Sequence, residues 1–136
     1  MTGRAVCDAS ALVAMLVDGG PVGEWATRQL SGIDLVAPHL VLYETANILR
    51  RHERAALISA DQAAQAHGDL LDLAIELWPY HLTARRAWGL RANLSVYDAA
   101  YVALAEETGA VLVTLDSKLA GAPGIACTVA TPGPAP

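Results

Sequence analysis

At 136 residues the chain has room for one domain built around one core. A hydrophobic fraction of 54% marks it as globular, yet no uninterrupted apolar run reaches membrane-spanning length. The net charge of −5 argues against a protein that grips nucleic acid by general positive charge.

Residues 6–8 read as a short buried strand and residues 10–17 as the helix after it, stopped by Gly19-Gly20. The N-terminus leads straight into that strand rather than into a signal-peptide core, which makes the cytoplasm the expected location. Pro21 opens a second helix to about residue 30, residues 34–37 form a second strand, and Pro38 starts a long helix over 39–52. Ser59 and Gln62 have the spacing of a capping box. In the helix they open, Ala63, Ala66, Leu70, Leu73 and Leu77 share one face, while Asp61, Gln65, Asp69, Asp72 and Glu76 share the other.

Residues 78–81 are a possible third strand that Pro79 confines to an edge or a strand start. Helices follow over 83–92 and 95–108, the second stopped by Gly109. Residues 110–115 form a strongly apolar fourth strand, residue 117 opens a turn or short helix, and residues 125–129 make a weak last strand. The fold class is therefore α/β: a central, mostly parallel sheet of four to five short strands with helices on both faces. Residues 1–130 form the domain, and the Pro/Gly-rich residues 131–136 a loose tail. Cys7 and Cys127 are too few for a disulfide framework and lack zinc-ligand spacing, so both read as small buried residues. The histidines at 39, 52, 67 and 81 are scattered and read as surface residues.

Four carboxylates stand out because each occupies an element end or an apolar helix face. Asp8 ends the first strand, Glu44 lies inside the long helix between Leu40 and Ile48, Asp98 opens an otherwise uncharged helix, and Asp116 follows the fourth strand. Taken singly, Asp8 and Asp116 are explained as helix caps, and Ser95 with Asp98 resembles a capping box. Glu44 has no such explanation: a carboxylate on that face needs a cation, a donor or a cleft. Ligands of parallel sheets bind beyond the carboxyl ends of the strands, where Asp8 and Asp116 fall. Four carboxylates gathered there would repel one another unless a divalent cation joined them.

Hard oxygen donors without His or Cys favour magnesium or manganese over zinc. The chemistry that needs such a cluster is phosphate-ester hydrolysis, in which Asp or Glu also positions a water or takes its proton. No Gly-rich phosphate loop and no Ser, His and acid arrangement is present. Asp8 lacks the second Asp two residues on that a haloacid-dehalogenase-type phosphatase would carry, and the acidic pair of a receiver domain is also missing. Two basic clusters, Arg50, Arg51, His52 and Arg54, and Arg85, Arg86 and Arg91, are either solvated helix faces or contacts for an acidic partner.

Three segments carry a family resemblance: residues 6–14 with Asp8 and Ser10, Pro38 through Glu44 to Asn47 and Leu49, and residues 95–119 with Asp98, Gly109 and Asp116. In this order and spacing they resemble the PIN-domain ribonucleases, specifically the VapC-type toxins of toxin–antitoxin pairs, over almost the whole chain. The resemblance implies a single PIN-like domain with an acidic metal and catalytic site at Asp8, Glu44, Asp98 and Asp116, holding one or two Mg2+ or Mn2+ ions. Leu115 and Leu119 flank Asp116 without the further acidic residue that some PIN domains carry. Ser10, Asn47 and Thr114 match polar positions that orient the carboxylates, and Arg50, Arg51, Arg85 and Arg86 are candidate RNA contacts.

It further implies an endoribonuclease acting on structured RNA such as tRNA or rRNA, a homodimer, and a small antitoxin that inserts an Arg or Lys near the carboxylates. Two other readings compete: a non-catalytic PIN-type binding module, and a metal phosphohydrolase of small molecules. Retention of all four carboxylates favours the enzyme over the module, which would gain stability by losing one.

Overall fold

A computed structural model describes residues 3–133. The chain runs β1 (Arg4–Cys7), α1 (Ala9–Val17), α2 (Pro21–Leu30), β2 (Asp34–Pro38), α3 (Leu40–Arg54) and α4 (Ala60–Asp72). It continues through β3 (Ile75–Trp78), a 3-10 turn (Tyr80–Leu82), α5 (Ala84–Gly89), α6 (Val96–Thr108), β4 (Val111–Val113), α7 (Ser117–Ala120) and β5 (Val129–Ala130). No helix among the described residues is long and apolar enough to cross a membrane.

The five strands form one sheet in the order β3-β2-β1-β4-β5, and every neighbouring pair is parallel. β1 is central, with Val6 opposite both Val36 and Leu112. Successive connections step outward from β1 through β2 to β3, and the chain then returns to the other side of β1 to form β4. Right-handed crossovers in opposite directions put their helices on opposite faces. Accordingly α1, α2, α3 and α4 pack among themselves, while α5 packs on α6 and α6 lies against β1, β2 and β4. The direction reverses between β1 and β4, and a crevice opens at such a point beyond the strand ends.

The core follows from composition. Leu12, Leu70, Leu104, Leu112, Val6, Val36, Val41 and Val102 are fully buried, with alanines filling the space between. α6 is buried continuously from Ala99 through Ala105, as expected of a helix apolar nearly all round. Small side chains let elements approach closely. At Gly23 in α2, a Cβ would lie 1.7 Å from the Asp18 carbonyl oxygen, so only glycine fits. Gly109 ends α6 in the left-handed region at φ 69°, the role its position predicted.

The capping box at Ser59 and Gln62 forms in both directions. The helix it opens is shorter than expected: α4 stops at Asp72, and Glu76 and Leu77 belong to β3. There the helical pattern runs into a strand whose own alternation gives the same half-buried Ile75 and Leu77 around an exposed Glu76, so periodicity does not separate the two. The third strand therefore lies at Ile75–Trp78, before Pro79, while Tyr80 and His81 sit in the 3-10 turn. The helix expected over 83–92 ends at Gly89, β4 is three residues long, and β5 falls at Val129–Ala130. Cys7 is buried, whereas Cys127 is only half-buried. Residues 131–133 carry no regular structure, and the rest of the expected tail lies outside the described residues.

Candidate active site

Asp8 leaves β1 and caps α1, accepting from the Ala11 N–H at 3.0 Å and from the Ser10 hydroxyl at 2.7 Å, both on Oδ1. Its Oδ2 accepts from the Thr114 hydroxyl, which arrives from the end of β4. The same hydroxyls reach further: Ser10 Oγ accepts from the Leu115 N–H at 3.0 Å, and Thr114 Oγ1 from the Asp116 N–H at 3.0 Å. One half-buried carboxylate thus ties the ends of β1 and β4 together, with lone-pair capacity to spare. Burial raises the Asp8 pKa above its usual value, and the hydrogen bonds from Thr114, Ser10 and Ala11 offset part of that rise. Beside it the Cys7 thiol is pushed up to about 12, by burial first and by Asp8 second. That leaves Cys7 an inert core residue.

Asp116 caps α7, accepting from the Lys118 N–H at 2.9 Å. Asp98 lies in the first turn of α6, its backbone N–H capped by Ser95 Oγ at 3.1 Å. Capping and cleft formation coexist, because Asp8, Glu44, Asp98 and Asp116 all line one cleft of about 310 Å³ at the β1/β4 crevice. Asp98 is raised by burial and then by the charges of Asp116 and Asp8; Glu44 is raised by burial and, more weakly, by Asp8 and Asp98. Glu44 and Asp98 each feel other carboxylates of the cleft, which is the electrostatic signature of a shared site.

Glu44 is held by a residue that sequence reasoning passed over. Tyr101, 3% exposed, donates its hydroxyl to Glu44 Oε1 at 2.5 Å. The available signal was spacing: three residues after Asp98, Tyr101 shares its face of α6. Burial and the Glu44 carboxylate raise the phenol above its usual range, so it stays a neutral donor. Asn47 is exposed on the rim of the same cleft, three residues beyond Glu44, and Ser10 and Thr114 both bond Asp8.

The four arginines separate. Arg51, seven residues beyond Glu44, lines the carboxylate cleft, while Arg50 lines an adjoining groove of about 860 Å³ with Leu40, Leu42, Tyr43 and Tyr97. Arg85 is exposed beside His81 and Leu82, away from the carboxylates. Arg86 clasps Glu106 through Nε at 2.6 Å and the Gly124 carbonyl at 2.8 Å, a structural brace between α6 and the segment before β5. The Ala126 N–H completes it on Glu106 at 2.7 Å.

The donor set is four hard carboxylates, which suits a divalent cation bound through oxygen. Among the described residues no three Asp, Glu, His or Cys side chains are already drawn together as a ready-made metal cage.

Comparison with known proteins matches this architecture. The PIN domain family matches residues 5–125. A VapC ribonuclease of Mycobacterium bovis is 38% identical over 125 residues, spanning 91% of this chain and 94% of the relative. Ribonuclease VapC3 of Pyrobaculum aerophilum is 38% identical over 122 residues, spanning 86% and 92%. Among solved structures, PAE2754 from Pyrobaculum aerophilum superposes with a TM-score of 0.65 at 25% identity, over 93% of this chain and 83% of that one. VapC20 of Mycobacterium tuberculosis, a toxin cleaving the sarcin-ricin loop, shares the fold with a TM-score of 0.67 at 18% identity, over 90% and 96%. The strand order, the carboxylate cleft at the sheet's switch point and these relatives agree: the chain belongs to the PIN-domain family and, within it, to the VapC ribonucleases.

Proposed function

We propose that this VapC-family protein is an endoribonuclease toxin of a toxin–antitoxin pair, hydrolysing phosphodiester bonds in structured RNA with Mg2+ or Mn2+ held by Asp8, Glu44, Asp98 and Asp116. The observation that carries the reading is the gathering of all four carboxylates in one cleft, where burial raises Asp8, Glu44 and Asp98 and the neighbouring carboxylates raise Glu44 and Asp98 further. Bound there, one or two divalent ions would lower the pKa of a water, neutralise the phosphate and stabilise the departing oxygen.

The chain's own residues supply the rest. Asp8 is fixed by Ser10, Ala11 and Thr114, and Glu44 by Tyr101, so two carboxylates keep their positions without a substrate. Asp98 and Asp116 enter the same cleft from the N-termini of α6 and α7. As water attacks phosphorus and the ester P–O bond breaks, a carboxylate raised above its usual range is suited to take the proton released. Arg51 at the rim provides a guanidinium for a flanking phosphate, with Arg50 next to it.

The partners follow from the same surfaces. An inhibitor entering the cleft must replace cation charge, so an antitoxin segment presents Arg or Lys to the carboxylates. VapBC2 from Rickettsia felis, solved with a promoter DNA fragment, shares the fold with a TM-score of 0.66 at 13% identity. Tyr43, Tyr80, Leu82, Trp88 and Tyr97 are all exposed, which supports a homodimer that covers part of this apolar surface.

The test is cleavage of structured RNA by the purified protein with magnesium or manganese, abolished by chelator and by Asp8→Asn or Asp98→Asn. Near wild-type cleavage by either variant overturns the assignment. Cleavage confined to mononucleotides would favour the small-molecule phosphohydrolase instead.

A further inference from the structure

We propose that Tyr101 is a positioning residue for the site, fixing the Glu44 carboxylate by its Oε1 so that Oε2 is the oxygen presented to the cation. The inference rests on the metal reading of the cleft. Glu44 enters from α3 on a long side chain, and a half-buried glutamate retains several rotamers unless something holds it. The holder here is itself immobile: Tyr101 lies in the continuously buried stretch of α6. At 2.5 Å the O–H···O contact falls in the range of charge-assisted bonds to carboxylate.

A phenol placed only for packing would satisfy its hydroxyl at less cost with a backbone carbonyl than with a carboxylate 57 residues away in sequence. The bond also divides labour on α6, where Asp98 offers oxygen to the cleft and Tyr101, on the same helix face, aims the oxygen of Glu44 on α3. Outer partners of metal-binding carboxylates act in this way.

Tyr101→Phe removes one oxygen and keeps the ring. Manganese binding to chelator-stripped protein, titrated by electron paramagnetic resonance without RNA, should weaken roughly 10- to 100-fold. A thermal melt in chelator should stay near wild type, and raising manganese should restore cleavage. In a double-mutant cycle Glu44→Gln alone weakens binding, and adding Tyr101→Phe weakens it no further, because the bond serves that carboxylate.

A readout on the wild type needs no variant: magnesium titration followed on the 13Cζ of Tyr101 should give a shift that saturates with ion binding. Wild-type affinity in Tyr101→Phe, additive losses in the cycle, or an unmoved Tyr101 resonance during saturation would overturn the role of Tyr101 alone. Absence of manganese binding to the wild type would overturn the metal reading and this role with it.

Discussion

Thr114, fully buried at the end of β4, donates its hydroxyl to Asp8 Oδ2 at the end of β1, across the seam where the sheet changes direction. The bond satisfies an oxygen of the half-buried Asp8 carboxylate, and the fully buried Thr114 Oγ1 accepts from the Asp116 N–H in turn. Thr114→Val keeps the shape and removes both functions. Unfolding in urea with chelator should show a loss of about 1–3 kcal/mol, the range for leaving a buried polar group unpaired. Thr114→Ser should recover most of it. Equal stability of the Val variant and wild type would contradict this account of the seam.

Acidity should act on the chelated protein in an unusual direction. Asp8, Glu44 and Asp98 are raised above their ordinary values of 3.8, 4.5 and 3.8 by burial, with neighbouring carboxylates adding to the rise at Glu44 and Asp98, so the folded state binds their protons more tightly than the unfolded chain. Their contribution to stability is fully present below the ordinary values and is lost as pH rises through the raised ones. Glu106 runs the other way: lowered by Arg86, it contributes above 4.5 and loses that contribution as pH falls through its lowered value. Melts in chelator should therefore rise as pH falls through the raised values of these three groups toward their ordinary ones, and the loss at Glu106 should oppose that rise only below 4.5. Manganese should reverse the upper part of the trend, since protons compete with the ion. A chelated protein that melts steadily lower from neutral pH downward would contradict the prediction.

Thr45 offers a stabilising change. Its side chain is fully buried in α3, and its hydroxyl is the buried side-chain group without a partner among the described residues. Thr45→Val replaces the unpaired hydroxyl with a methyl of similar size, which should raise stability by about 1 kcal/mol in urea unfolding. A loss of that size would mean that the hydroxyl is partnered in solution.

Much of this was legible in the chain because the signals were local and independent. The capping box at Ser59, the stop at Gly109 and the carboxylates at the ends of β1 and β4 each depend on a few adjacent residues, and each falls where expected. Glu44 was conspicuous because a carboxylate on an apolar face lacks a local explanation. What escaped depends on distance in sequence. Nothing near Tyr101 says that its hydroxyl meets Glu44, and nothing near Arg86 says that Glu106 and Gly124 occupy it. The strand at Ile75–Trp78 was hidden because a helical stripe and a strand alternation coincide over residues 73–77, and tertiary pairing with β2 decides between them.

The bond between Asp8 and Thr114 joins residues 106 positions apart, and its consequence concerns the order of synthesis. During translation the central strand emerges well before β4 and waits with one side unpaired until β4 arrives. Glu44 likewise lacks its tyrosine until α6 has left the ribosome. No chain cut before α6 and β4 carries the cleft, because Asp8 and Glu44 come from one half of the domain and Asp98 and Asp116 from the other. For a VapC ribonuclease, activity therefore arrives late in synthesis, only after α6 and β4 have folded onto the first strand.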